Sequence, residues 1–122
     1  MDSVINWFQI PVTDFDRACD FYSKILGVEI HKDRSFGAPM GFFPMEPNTV
    51  SGALVQHEGF NPSDKGTLIY LDGGEDLNNV LNRVEGAGGK IVEAKRQITP
   101  DIGFLAKFKD TEGNVVALHS RK

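Results

Sequence analysis

One pattern of extended and helical segments occurs twice in this sequence, about 60 residues apart. In the first half, an extended apolar run at 4–12 precedes a helical pattern at 15–26. In the second half, a run at 67–71 precedes a helical stripe at 77–87. Three short extended runs follow each helix, separated by residues typical of turns. The pattern predicts an α+β fold in which a β-α-β-β-β module is used twice.

The signals at the element ends agree with this interpretation. Thr13, with Asp16 three residues later, resembles a capping box at the start of the first helix. Gly27 is typical of the left-handed residue that ends a helix. The six further strands are predicted at 28–32, 40–45, 50–56, 90–94, 103–109 and 114–119.

The chain is long enough for one hydrophobic core. It has 122 residues, of which 40% are hydrophobic, and this favours a single domain. We predict one domain over 1–122, with module one at 1–58, a connecting loop at 59–66 and module two at 67–122. Each sheet is too small to bury its own apolar face, so the two modules are expected to pack together as one structure.

Composition excludes several classes of protein. Lys and Arg number 13 against 17 Asp and Glu, giving a net charge of -4, which argues against a nucleic-acid partner. A single cysteine excludes an intrachain disulfide. No apolar run reaches the roughly 18 residues of a membrane span, and the N-terminus lacks a secretory pattern. We expect a cytoplasmic protein without a membrane partner.

Two segments resemble signatures of a known family. The run 7–14, followed by Ala18, Phe21 and Leu26-Gly27, is similar to the opening signature of the vicinal oxygen chelate superfamily. The run 108–116, with its Asp-Thr-Glu-Gly-Asn turn, resembles the second signature of that superfamily. Its members include glyoxalase I, bleomycin-resistance proteins and extradiol dioxygenases. The resemblance implies that the tandem modules form an incomplete barrel around a shared cavity, but a fold does not fix a function.

The resemblance also implies where a metal would be held. Metal enzymes of the family take ligands from the first and last strands of each module, and these positions fall here on Trp7, Gln56, Thr67 and Ala117. An indole has no lone pair for coordination, an alanine has no donor atom and a threonine hydroxyl is a weak ligand by itself. We therefore expect no metal and no other cofactor.

A cavity without a metal has five candidate ligand-binding residues, namely Trp7, Gln9, Gln56, Thr67 and His119. Strand alternation places Gln9 on the same face as Trp7. The alternatives for Trp7 are a plug in the core or a stacking wall for a flat ligand. Gln9 is either an interface amide or a ligand contact, and His119 either a solvated edge residue or part of the cavity.

Other residues have simpler interpretations. Cys19 is expected to be a small packing residue on the first helix, because no base can be placed beside it. His31 alternates with charged residues and is expected on the surface. The loops at 35–39 and 99–103 are candidates for covering the mouth of a pocket.

Two functions follow from different classes. The first is a glyoxalase- or bleomycin-resistance-like protein that binds a small organic molecule without the usual metal site. The alternative is a metal-dependent lyase, isomerase or dioxygenase of glyoxalase type, with a displaced site using Gln9, Gln56 and His119. Whether the protein is an enzyme stays open. The resemblance also implies a homodimer, because dimerisation through sheet edges is common in this family.

Overall fold

The computed structural model describes residues 3–122, and each half of this stretch forms one helix and one four-stranded sheet. In chain order the elements are β1 (Trp7–Pro11), α1 (Phe15–Leu26), β2 (His31–Asp33), β3 (Met40–Phe42), β4 (Ser51–Val55), β5 (Tyr70–Asp72), α2 (Asn78–Val84), β6 (Lys90–Thr99), β7 (Gly103–Lys109) and β8 (Val115–Ser120). Within 3–122, no helix is long and apolar enough to cross a membrane.

The two sheets have the same topology. Their strand orders are β1-β4-β3-β2 and β5-β8-β7-β6. In each sheet the first strand runs parallel to the last strand of its module, and the other pairs are antiparallel. The described residues form no strand pairing between the sheets, so they are not closed into a barrel. The predicted α+β fold with tandem modules and an incomplete barrel is confirmed.

Several strand boundaries differ from the prediction. β1 begins at Trp7 rather than at residue 4, and Val4 and Ile5 before it are exposed. β5 begins at Tyr70, so Thr67 precedes the strand. β6 continues to Thr99 because it pairs with β7 along its length. Three register shifts interrupt that pairing, and β6 forms one edge of its sheet.

Both modules contribute to one hydrophobic core. Tyr22 of α1 is fully buried, and its ring lies 5.7 Å from that of Phe43 in the first half and 6.2 Å from that of Phe108 in β7. Phe21 also lies 5.9 Å from Phe108. Full burial of one such side chain stabilises a fold by about 1.5–3 kcal/mol. Since these rings touch both sheets, the core of one module is completed by the other.

Helix α1 begins one residue later than a capping box would place it. Asp14 is the N-cap, and its carboxylate accepts a hydrogen bond from the N–H of Arg17 at 3.2 Å. The predicted Thr13–Asp16 box is wrong, because the N–H and hydroxyl of Thr13 donate to Glu112 instead. Gly27 ends the helix in the left-handed conformation, as predicted, with φ 65°.

The turn between β7 and β8 is folded around the buried carboxylate of Asp110. One of its oxygens accepts the N–H groups of Glu112 and Asn114, at 2.8 and 2.9 Å. The other accepts the Tyr22 hydroxyl at 2.7 Å and the Asn114 amide at 3.0 Å. That amide also donates to the carbonyl of Pro11 at 2.8 Å. The turn of module two is thereby bonded to both β1 and α1 of module one.

Glu112 extends this junction to the N-terminus of α1. Its side chain is fully shielded from solvent. Its two oxygens accept five hydrogen bonds of 2.7–3.1 Å from Thr13, Asp14, Arg17 and Thr111. Burial raises the pKa of this carboxyl, but the bonds from these donors outweigh it and lower the pKa to about 2. We call residues 110–114 the junction turn.

Glu112→Gln is expected to lower the free energy of unfolding by about 1.5–3 kcal/mol, because it removes the charge that five donors share. Urea denaturation measures the change. The matched control is Glu85→Gln, which alters an exposed carboxylate at the end of α2. Equal stability of the two variants would show that the junction turn contributes nothing through this carboxylate.

The same carboxylate predicts a pH dependence. Because the pKa of Glu112 is about 2 in the folded chain and ordinarily 4.5, its contribution is complete above pH 4.5 and is lost as the pH falls toward 2. The difference in unfolding free energy between the wild type and Glu112→Gln should shrink over this interval. Parallel curves for the two proteins across the interval would contradict the assignment.

Candidate functional site

Strand alternation gives each sheet one face toward the helices and one open face. In β1, Phe8 and Ile10 pack with the core, so Trp7, Gln9 and Pro11 lie on the other side. The candidate ligand-binding residues of β1, Trp7 and Gln9, therefore lie on the open face of the first sheet.

Three rings gather on this open face around the ring of Phe42 in β3. The ring of Trp7 lies 6.0 Å from that of Phe42, with an interplanar angle of 54°. Phe36 lies 5.9 Å away at 70°, and His31 lies 6.3 Å away. Phe36 is 65% exposed and Trp7 is 37% exposed. We call Trp7, His31, Phe36 and Phe42 the aromatic patch.

The strand register places a polar group beside the patch. Gln9 of β1 and Phe42 of β3 both pair with Ala53 of β4, so the three residues form one row across the sheet. Ala53 is fully buried and its side chain is only a methyl group, so no long side chain separates Gln9 from Phe42. The exposed Gln9 amide therefore lies at one side of the patch.

A cavity of about 270 Å³ lies between the two halves of the chain. Gln9 and Pro11 line it from β1, and Phe60 and Thr67 line it from the segment between β4 and β5. Asn114 of the junction turn completes its wall. The cavity brings together two of the five predicted ligand-binding residues, Gln9 and Thr67.

A larger apolar groove of about 860 Å³ also runs between the halves. Phe8 and Phe43 line it from module one, and Leu68, Ile69 and Leu71 line it from module two. Thr67 belongs to this groove as well. Trp7 lines neither this groove nor the 270 Å³ cavity.

Gln56 has a structural contact that the sequence did not indicate. Its side-chain oxygen accepts the N–H of Phe15 at 2.9 Å, at the first residue of α1. Ser120 does the same in module two, where its hydroxyl accepts the N–H of Leu77 at 3.0 Å. Because β1 and β4 are parallel neighbours, a residue just past β4 lies beside the start of the helix that follows β1.

His119 lies on the open face of the second sheet, away from the other four candidates. Its Nε2 is 2.6 Å from the carbonyl oxygen of Ile102, and its strand neighbour is Asp72. Both line a cavity of about 1080 Å³ with Tyr70 and Ile98. None of Trp7, Gln9, Gln56 and Thr67 lines this cavity.

The residues at the metal positions implied by the family do not fit a divalent ion. The Gln56 oxygen is used by α1, the Trp7 indole stands against Phe42, and Ala117 has no donor atom. Across residues 3–122, no three His, Cys, Asp or Glu side chains lie together as a metal would require.

The structure agrees with two simpler expectations. Cys19 is buried on α1, and burial raises the pKa of its thiol to about 11. A Cβ on Gly41 would lie only 2.7 Å from the Cys19 sulfur, so this thiol packs against bare backbone. His31 is exposed, as expected, although it also belongs to the aromatic patch.

The sequence reasoning missed the roles of Phe36 and Phe42. The signal that could have found Phe42 is the alternation in β3, where Met40 and Phe42 share the face opposite Gly41. Phe36 lies in the loop that was predicted to cover a pocket, and its ring does lie over Phe42. Loop conformation was not readable from the sequence pattern.

The tandem modules and open faces define a class of small α+β proteins, and comparison with known proteins identifies the family. The model of the Glyoxalase/Bleomycin resistance protein/Dioxygenase superfamily matches residues 4–118. A glyoxylase-like domain-containing protein of Didymella fabae is 30% identical over 127 residues, covering 96% of this chain and 93% of that relative. The chain belongs to this superfamily, and the predicted resemblance is confirmed.

Solved structures support the same fold. A glyoxalase/bleomycin resistance protein from Albidiferax ferrireducens T118 matches with a TM-score of 0.75 and 14% identity, over 98% of this chain and all 100% of that one. TnmS3, an antibiotic binding protein from Streptomyces sp. CB03234, matches at 0.70 and 22%, over 98% and 97%. Glyoxalase I from Zea mays matches at 0.68 and 20%, over 94% of this chain and 43% of its own.

The contact of Gln56 predicts a structural effect. Gln56→Ala should lower the free energy of unfolding by about 1 kcal/mol, because the N–H of Phe15 loses its acceptor. Thermal denaturation measures this loss. His57→Ala, at the neighbouring exposed position, serves as the control. A Gln56→Ala protein as stable as the wild type would show that the hydrogen bond between Gln56 and Phe15 does not stabilise the fold.

Proposed function

We propose that this protein binds a flat small organic molecule at the aromatic patch, without the metal that enzymes of its family use. The observation that carries the proposal is the exposure of the Trp7 and Phe36 rings on either side of Phe42. Exposed apolar clusters on a protein of this size are typical of binding surfaces. Aromatic rings bind flat ligands through offset or edge contacts.

The inclination of the rings supports a site rather than a flat surface. Trp7 comes from β1 and Phe36 from the loop beyond β2, while Phe42 lies on β3 between these strands. The two outer rings are inclined to that of Phe42 by 54° and 70°. A ligand ring can therefore contact more than one aromatic face at once.

Gln9 supplies the polar contact that such a site needs. Binding sites for small molecules are mostly apolar, with a few polar groups that orient the ligand. The Gln9 amide both donates and accepts hydrogen bonds, and it lies beside the patch and on the 270 Å³ cavity. A ligand on the patch could therefore extend a substituent toward Thr67.

The chemistry of the donor set favours this proposal over a displaced metal site. Such a site would need Gln9, Gln56 and His119 together. The Gln56 oxygen already accepts a bond from Phe15, and His119 lines a cavity that Gln9 does not reach.

Trp7 provides a direct test, because it is the only tryptophan in the chain. In metal-free buffer, its fluorescence should change saturably on titration with compounds from a library of bicyclic aromatic molecules. Phe36→Ala should weaken binding about twofold to tenfold, from the loss of one ring contact of about 0.5–1.5 kcal/mol. Ile102→Ala, an exposed apolar residue beside His119, should leave binding unchanged. A fluorescence signal indifferent to the whole library would overturn the proposal.

Elemental analysis separates the proposal from the alternative. We expect far less than one equivalent of Zn, Ni, Mn or Fe per chain after purification and loading, because the implied ligand positions lack suitable donors. His119→Ala should not alter this content. One retained equivalent that disappears in His119→Ala would instead support a metal-dependent lyase, isomerase or dioxygenase.

A further inference from the structure

Strand alternation separates opposite charges in the first sheet. Lys32 is the only lysine or arginine within strands β1 to β4. It pairs with Gly41, which faces the helix side, and its ammonium lies 3.0 Å from the Asp16 carboxylate on α1. The cation of this sheet is therefore turned away from the open face.

The next cation along the chain is held on the same side. The Arg34 guanidinium lies over the ring of Phe15 at 5.2 Å and 3.8 Å from the carboxylate of Asp16. The side chains of Lys32 and Arg34 are thus both directed to the N-terminal half of α1.

The open face carries a negative group instead. Asp33 pairs with Met40 and lies two residues along β2 from His31, so it is on the same face as the pair of His31 and Phe42. Hydrogen bonds from the hydroxyl and N–H of Ser35, at 2.6 and 2.7 Å, lower the pKa of Asp33. This carboxyl is therefore charged at neutral pH. Asp33 and His31 are the only titratable residues on the open face of these four strands.

We infer that the aromatic patch selects flat organic cations over neutral or anionic molecules of the same shape. The inference rests on the proposed binding at this patch and adds the charge class of the ligand. Faces of aromatic rings attract cations. Trp7, Phe36 and Phe42 provide three rings, Asp33 lies on the same face, and no lysine or arginine is among the open-face residues of β1 to β4. The net charge of -4 adds a general attraction for cations.

The attraction has a definite expected size. A cation over an exposed ring gains about 0.5–1 kcal/mol, or roughly a twofold to fivefold increase in affinity. Contact with a second ring and the Asp33 carboxylate adds to this. An aromatic cation should therefore bind at least about threefold more tightly than its neutral counterpart.

Isothermal titration calorimetry of the full chain with three bicyclic probes tests the inference. The probes are N-methylquinolinium as the cation, quinoline as the neutral molecule and 1-naphthoate as the anion. At about pH 8, the cation should bind most tightly and the anion most weakly.

Two aspartate variants locate the source of the preference. Asp33→Asn should lower the affinity for N-methylquinolinium severalfold and leave the affinity for quinoline unchanged. Asp72→Asn is the matched control, because Asp72 lies on the open face of the second sheet and also accepts a backbone N–H two residues on. Trp7→Leu should remove most of the cation preference while keeping an apolar side chain on β1.

The results distinguish the two proposals. Quinoline binding as tightly as N-methylquinolinium, or equal effects of Asp33→Asn and Asp72→Asn, would overturn the charge preference while supporting the binding site. Failure of all three probes to bind would overturn the charge preference, and it would overturn the binding site as well if the Trp7 fluorescence is also indifferent to the whole library.

Discussion

The hydrogen bonds to the carboxylate of Asp110 are the interaction on which the packing of the two halves of this fold depends. It is buried and receives donors from its own turn and from Tyr22 on α1. A buried charge is costly unless its oxygens are fully bonded, and here each oxygen has two donors. In this conformation the junction turn also directs Glu112 to the N-terminus of α1, and these bonds hold one module against the other.

The open faces follow from this arrangement. Once α1 and the aromatic core are fixed between the modules, β1 has its even-numbered residues in the core and its odd-numbered residues outside. Trp7 and Gln9 consequently share one face. The register through Ala53 places Gln9 in the row of Phe42, and the Trp7 ring lies against the ring of Phe42. The same alternation sends Lys32 and Asp33 to opposite sides. Strand geometry thus sets the charge of the proposed binding surface, and the loop after β2 adds only the Phe36 ring.

The spacing of apolar residues in the sequence predicted those features that depend on neighbouring residues alone. The span of α1, the left-handed Gly27 and the bounds of β7 agree with the pattern of apolar residues. The contacts of Gln56 and Thr13 were not predictable in this way, because their partners lie 41 and 99 residues away in the chain. The exposure of Trp7 was not predictable either, because it depends on which strands and loops lie beside β1.

The interruptions in β6 matter for how these molecules behave at high concentration. A ten-residue strand at the edge of a sheet, with Ile91 and Val92 exposed, presents unpaired backbone groups to other chains. The three register shifts break its regular spacing, and Lys90, Glu93 and Lys95 add charge along it. Irregular pairing and charge are features by which edge strands oppose the addition of a strand from another chain, and β6 has both.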